Sequence, residues 1–237
     1  MIELKDVTFQ YGWQPIIQEM SLTIPMGRMI GLIGENGCGK STLVQLLAGI
    51  LRPKKGTILL NGRPLTRCDT KEIAFAPDTD LFYDYYTAEE LFQFFASQYP
   101  DFSYEKAIII GEFLNVKMGV KLKKLSKGHR ARVKIAATLG REVTFYLFDE
   151  PFSGLDPIAR GELMKAFIRF IDVETQTVFL STHEIHEIEV MLDDVYLLKE
   201  GRLLATGEME LIRDLRNQDA VQWMKEMYQE RDENNGH

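Results

Sequence analysis

The 237-residue sequence predicts an α/β fold, a mixed and mostly parallel sheet with an antiparallel β edge and an inserted α-helical segment. Three observations carry that expectation. The unbroken apolar run Met29 to Ile33 suits a strand buried on both faces, and it passes through a glycine-rich turn into a stretch of helical period. From Thr144 to Ala205 strand-like and helix-like stretches alternate. Between these regions, Thr87 to Gly140 reads at helical spacing.

From the N-terminus, Ile2, Leu4, Val7 and Phe9 fall at roughly every second position, and Ile16 to Ile24 form a second run stopped by Pro25 and Gly27. After Met29 to Ile33, Leu43, Leu46 and Leu47 mark one face of a helix over Lys40 to Ala48. Lys55 to Asn61 and Ile73 to Ala76 read as short strands separated by the turn-formers Asn61, Gly62 and Pro64. Thr87 with Glu90 three places on forms a capping-box signature that opens the helical insertion. A strand over Thr144 to Phe148, a helix over Pro157 to Ile171, a strand over Thr177 to Ser181, a helix after His183, and strands near Val195 to Leu198 and Arg202 to Ala205 complete the alternation. Glu208 to Glu230 reads as one or two helices, and Arg231 to His237 is polar enough to be disordered. The expected organisation is one domain over 1–237: a core with an N-terminal β-subdomain from 1–86 and 141–215, a helical subdomain from 87–140, and a terminal helix and tail from 216–237.

Composition narrows the function. No run approaches the roughly 18 apolar residues that span a bilayer, since Val143 to Phe148 and Ala107 to Ile110 are soon broken. The opening Met-Ile-Glu-Leu-Lys-Asp lacks the features of a signal peptide, so the chain is expected to stay in the cytosol. Cys38 and Cys68 are too few for a disulfide framework and are expected to be reduced thiols. A net charge of -7 argues against nucleic acid as a partner, and the basic stretch Lys121 to Lys134 reads as a solvated loop followed by a helix face.

The chemistry sits in two motifs. Gly34, Glu35, Asn36, Gly37, Cys38, Gly39, Lys40, Ser41 and Thr42 match the phosphate-loop pattern G-x-x-x-x-G-K-[ST], with a buried strand before and a helix after. Glycines there let backbone N–H groups turn toward phosphate oxygens, and the helix N-terminus adds a favourable dipole. Lys40 should reach the outer phosphates and Ser41 should offer its hydroxyl to Mg²⁺. The apolar strand Thr144 to Phe148 then delivers Asp149 and Glu150, one carboxylate for Mg²⁺ through its water shell and one to orient and polarise an attacking water.

With Leu125-Ser-Lys-Gly-His129 ahead of that strand, Ser153-Gly-Leu-Asp156 after it and then His183, the chain resembles the nucleotide-binding subunit of ABC transporters over nearly its whole length. The resemblance implies the phosphate-loop NTPase fold, ATP and Mg²⁺ as ligands, and two nucleotides sandwiched between two chains, the partner being a second copy or a paralogous ATPase. Ser126, Lys127, Gly128 and His129 would be the signature that meets the partner's nucleotide. Asp156 would close the D-loop, His183 would sense the γ-phosphate within its own chain, and Tyr11 would stack on adenine, with Trp13 a rival. A separate permease would hold the protein at the cytoplasmic face of the membrane. The stretch Leu81 to Tyr86 is either a groove for a permease helix or an internal cluster holding the insertion.

Several residues depart from the family's common pattern. Asp78 stands where Gln is usual and is shorter and charged, so its contact with Mg²⁺ is expected to be water-mediated or absent in an open state. Lys127 replaces Gly and either adds charge near phosphate or projects into water. His129 replaces Gln, and Cys38 fills a place usually held by a small residue. The Ser-Lys-Gly signature resembles exporters of antimicrobial or cytolytic peptides. The alternative is a soluble ABC ATPase of the iron–sulfur-assembly type.

Overall fold

A computed structural model describes residues 1–79, 84–214 and 219–234. In chain order the first half runs β1 (Ile2–Tyr11), β2 (Gln14–Ile24), β3 (Met29–Ile33), α1 (Lys40–Leu47), β4 (Lys55–Leu60), β5 (Arg63–Pro64) and β6 (Ile73–Ala76). Three helices follow: α2 (Ala88–Gln98), α3 (Tyr104–Phe113) and α4 (Lys127–Leu139). The chain then makes β7 (Phe145–Asp149), α5 (Pro157–Phe170), β8 (Thr177–Thr182), β9 (Asp194–Lys199), β10 (Arg202–Glu208), α6 (Met209–Asp214) and α7 (Ala220–Asn234).

The strands form two sheets. One is antiparallel with order β2-β1-β4-β5; the other has order β10-β9-β3-β8-β7-β6, parallel from β9 to β6 with β10 as its antiparallel edge. Alternation in β1 slips between Leu4 and Val7 because a bulge intervenes, with Asp6 at φ +51°, so Val7 and Phe9 still face inward. The parallel strands read as continuous apolar runs because each is covered on both faces. Ile30, Leu32, Phe145, Leu147 and Phe179 point to one core around α1 and the antiparallel sheet. Met29, Ile33, Tyr146, Phe148, Val178 and Leu180 point to the other, beneath α4 and α5. The carboxyl ends of β3, β7 and β8 therefore emerge side by side, the edge where open α/β sheets bind ligands.

The capping box forms at α2, where Thr87 N–H donates to Glu90 Oε2 (2.7 Å) and Glu90 N–H to Thr87 Oγ1 (3.2 Å). Two expectations fail. The segment directly after His183 is not α-helical; the chain makes 3₁₀ turns at Ile185–Glu187 and Glu189–Met191 before β9. The buried residues Ile185, Ile188 and Met191 recur every third position, the period of a 3₁₀ turn rather than of an α-helix. At the C-terminus α7 continues through Asn234 into the segment expected to be disordered, since neither Gly nor Pro interrupts it before Gly236. Residues 81–83 of the Leu81 to Tyr86 stretch lie outside the described residues. Among the described residues no helix is long and apolar enough to cross a membrane.

Candidate nucleotide site

The glycine loop leaves β3 with Gly34 at φ +156°, where an added Cβ would collide with the Leu198 carbonyl of β9. Gly39, at φ +109°, turns the chain into α1. Lys40 is buried and folds back into the loop, its Nζ donating to the carbonyls of Gly34 (2.8 Å) and Glu35 (3.1 Å). Cys38 is also buried; its N–H donates to the Glu35 carbonyl (3.3 Å), and its own carbonyl accepts from Gly201 N–H (2.9 Å). Burial pushes its thiol up, the Lys40 charge pulling partly back. The backbone of Cys38 thus ties the loop to the β9–β10 turn.

A cavity of about 440 Å³ opens in front of the loop, lined by Asn36, Gly37, Gly39, Lys40, Ser41 and Thr42 together with Ile16, Asp78, Glu150, Ser153 and His183. Glu35 and Cys38 face away, into a smaller hollow shared with Lys199, Glu200 and Tyr228 of α7. Tyr228 has a buried hydroxyl with no hydrogen-bond partner among the described residues, and burial first, then Glu35 and Cys38, push its pKa up to about 12.

The acidic pair stands at the end of β7. Asp149 Oδ1 accepts from Ser41 Oγ (3.0 Å) and from Ser181 Oγ (2.7 Å). Glu150 takes φ +47°, a left-handed conformation that costs a residue with a Cβ roughly 1 kcal/mol or more. Its N–H is anchored on Ser181 Oγ (3.0 Å), so one buried serine ties both acids in place. The Glu150 carboxylate lies 3.7 Å from Lys40 Nζ on one oxygen and accepts from His183 Nδ1 (2.8 Å) on the other. Cradle, cation, carboxylate and imidazole thus meet in one cavity, which suits holding a phosphate chain beside an oriented water.

Ser126 caps α4, its Oγ accepting from His129 N–H (3.4 Å) and lying 2.9 Å from His129 Nδ1. Lys127 lies over the D-loop, where an added Cβ on Gly154 would meet its Nζ. Gly128 packs near Leu155 and Ala159. Among the described residues, none of Ser126 to His129 lines the cavity. Asp156 caps α5 through Oδ1, which accepts from Ile158 and Ala159 N–H (both 3.0 Å), and the Ala159 bond leads in holding its carboxyl below the usual range. Asp78 lines the cavity, and Lys134 of α4 donates to the carbonyls of Pro77 (2.7 Å) and Asp78 (2.9 Å). Tyr11 and Trp13 are not brought to the cavity: Tyr11 is half exposed with its ring edge-on to Phe9, Trp13 is fully exposed, and Ile16 lines the wall instead.

Two supporting residues were missed in the sequence. Ser181 could have been found only from its place at the end of a buried strand beside His183. Buried Arg160 donates to the Glu184 carboxylate (3.0 Å) and to the Leu155 carbonyl (3.4 Å), joining the D-loop to the residue after His183. A lone Arg on a helix gives no sign of this.

A phosphate-wrapping loop between a buried strand and a helix, facing a strand-end carboxylate pair, defines a phosphate-loop nucleotide hydrolase. The sequence pattern described as "ABC transporter" matches residues 17–153, more than half of the chain. The chain belongs to the ABC transporter family, as an ATP-binding subunit whose ATP hydrolysis is coupled to transport. It is 31% identical to the cobalt import ATP-binding protein CbiO of Salmonella paratyphi A, over 87% of this chain and 80% of that protein. A solved ATP-binding subunit of an ABC transporter superposes with a TM-score of 0.81 at 29% identity, covering 97% of this chain and 98% of its own. The same fold recurs in a dimeric ATP-binding cassette, MJ0796, in a post-hydrolysis state with ADP and Pi, at a TM-score of 0.77 and 21% identity over 88% of this chain and 99% of that one.

Proposed function

We propose that two copies of this chain, or this chain and a paralogue, close around two ATP molecules, each bound by one copy's phosphate loop and met by the other's Ser126 and Gly128, and that the closure drives a separate membrane permease. One observation supports the reading: the cavity gathers Lys40, Ser41, Glu150 and His183, whereas among the described residues no signature residue lines it, as a site completed by a second chain would require. The dimeric MJ0796 cassette with ADP and Pi gives independent support. On this reading 1–86 and 141–215 form the nucleotide-binding core, 87–140 presents the signature, and 216–237 is an appended helix and tail.

Lys40 and the loop N–H groups hold the outer phosphates. Glu150, directed by Lys40 and His183, orients a water and accepts its proton as the water oxygen attacks the γ-phosphorus and the bond to the β-phosphate oxygen breaks, releasing ADP and phosphate. His183, already on Glu150, lines the same cavity and would sense the γ-phosphate from there. The Ser41 hydroxyl and the Asp149 carboxylate, joined at 3.0 Å, form the hard oxygen set that suits Mg²⁺. Mg²⁺ bound there would neutralise charge on the phosphates. Asp78 lines the same cavity, but its side chain is short, and its link to α4 runs through backbone carbonyls. Tyr11 as an adenine platform requires movement from its present edge-on position.

A permease segment finds an apolar hollow of about 500 Å³ between β6 and α2, lined by Phe75, Phe94, Phe95 and Tyr99 among others, with Tyr86 against Phe94 (5.9 Å). It adjoins the Asp84–Tyr86 end of the aromatic stretch. The soluble iron–sulfur alternative gains no support from the relatives. Export rests on the Ser-Lys-Gly resemblance, whereas the likeness to the cobalt importer CbiO favours import as the second reading.

Mixing two inactive variants tests the half-site reading. Lys40→Ala and Ser126→Arg each disable one half, and in the mixed dimer one intact loop meets one intact signature. ATPase activity should reappear on mixing. Two chains that stay inactive together while still associating would overturn the sandwich.

A further inference from the structure

Ser126 can donate to an anion only if its single proton points outward, and His129 stands where it controls that proton. The hydroxyl has one proton and two lone pairs. One lone pair accepts His129 N–H (3.4 Å), and Nδ1 of the same residue lies 2.9 Å away. We propose that His129 is a positioning residue for Ser126, its protonation turning the Ser126 proton toward the partner's nucleotide and so making closure of the nucleotide-bound dimer pH-dependent. This rests on the reading that Ser126 meets the partner's γ-phosphate.

With a neutral ring two arrangements compete. Nδ1 can accept the Ser126 proton, which then is not available to phosphate, or Nδ1–H can donate to Oγ. An imidazolium carries a proton on both nitrogens and removes the first arrangement. Oγ then accepts from both the backbone N–H and Nδ1–H, its lone pairs are used, and its only proton must point away from the ring. The positive charge also arrives beside an incoming phosphate, so both effects act in the same direction.

The surroundings disfavour the charged ring in the separate chain. Burial first, then Lys117 from the turn after α3 and Arg132 from α4, hold its pKa below the usual histidine range, while Glu162 of α5, itself paired with Arg132, acts in the opposite sense. Docking of a phosphate raises the pKa. Closure therefore takes up protons, and the closed dimer is favoured as pH falls and weakened as pH rises. A glutamine at this position would hold Ser126 through an amide that does not titrate.

The test uses the Glu150→Gln chain, so that ATP persists, and measures the Mg-ATP-dependent dimer dissociation constant by sedimentation at pH 6, 7 and 8. Mant-ATP binding to the monomer is measured in parallel. The His129 chain should lose dimer affinity by about fivefold or more from pH 6 to 8, the equilibrium worth of about one hydrogen bond. His129→Gln should still dimerise but without that excess slope, and His129→Ala should lose both the slope and the parent's tighter dimer at pH 6, with monomer affinity for Mant-ATP unchanged in both. Titration of ATP itself is common to all chains and cancels. Equal slopes for His129 and His129→Gln would overturn the proposal. A Ser126→Ala chain that dimerises as tightly as its parent would instead overturn the reading of the signature beneath it.

Discussion

Replacing Ser181 by Ala removes the hydroxyl that ties both acids of β7. Its Oγ donates to Asp149 (2.7 Å) and accepts from Glu150 N–H (3.0 Å), and the side chain is fully buried. A bond to a charged carboxylate contributes about 1.5–3 kcal/mol and a neutral one about 0.5–1.5 kcal/mol, so a loss of about 3 kcal/mol is expected. Asp149 keeps its Ser41 partner, which argues against a larger figure. For a chain of this size about 3 °C accompanies each kcal/mol, so the nucleotide-free melting temperature should fall by about 9 °C. Glu150 should also leave its left-handed conformation, because the bond that offsets its strain is gone. Its carboxylate then drifts from His183, and kcat should drop by about tenfold or more, while KM for ATP changes little because the glycine loop is untouched. Melting scans and steady-state phosphate release read the two effects. A melting temperature within about 1 °C of the parent, with unchanged kcat, would refute the assignment of Ser181 as the common anchor.

Other outcomes follow from the same geometry. Ser126→Arg should leave ATP affinity of the monomer nearly unchanged and abolish ATP-dependent dimerisation, as read by Mant-ATP titration and size exclusion; equal loss of monomer affinity would place the signature in its own chain's site. Exposed Cys68 should react rapidly with a maleimide and buried, pKa-raised Cys38 slowly, and ATP should slow Cys38 further by holding the loop shut. Mass spectrometry of labelled peptides reads this, and equal rates would mean that the loop opens freely. Asp78→Asn should reduce turnover of the isolated chain only modestly, because Lys134 holds the backbone there and not the side chain. A collapse of turnover rescued by raised Mg²⁺ would instead make Asp78 a direct metal ligand.

The strand–loop–helix at Met29 to Leu47 was legible because each signal is local: an unbroken apolar strand, glycines where positive φ is needed, and a helical period directly after. The strand bearing Asp149 was legible for the same reason. What the sequence hid depends on packing between segments far apart. Ser181 matters because β8 lies beside β7, a pairing no local pattern reports. A helix after His183 was expected from the alternation of strands and helices, but buried residues at a spacing of three in a short segment favour 3₁₀ turns. Tyr11 was singled out by residue type, whereas its direction is set by the β1–β2 hairpin, which turns it to Phe9. His129 was visible as a departure, but only its distance from Ser126 gives it a role.

If ATP itself joins two half-sites and Glu150 ends the closed state by promoting hydrolysis, removal of the Glu150 carboxylate should trap the joined state. The most direct measurement is size exclusion with light scattering of Glu150→Gln, with Mg-ATP and with Mg-ADP, alongside its rate of phosphate release. The ATP sandwich predicts a long-lived dimer with Mg-ATP, monomer with Mg-ADP, and negligible turnover. A Glu150→Gln chain that remains monomeric at saturating Mg-ATP, or one that hydrolyses ATP at the parent's rate, would contradict it.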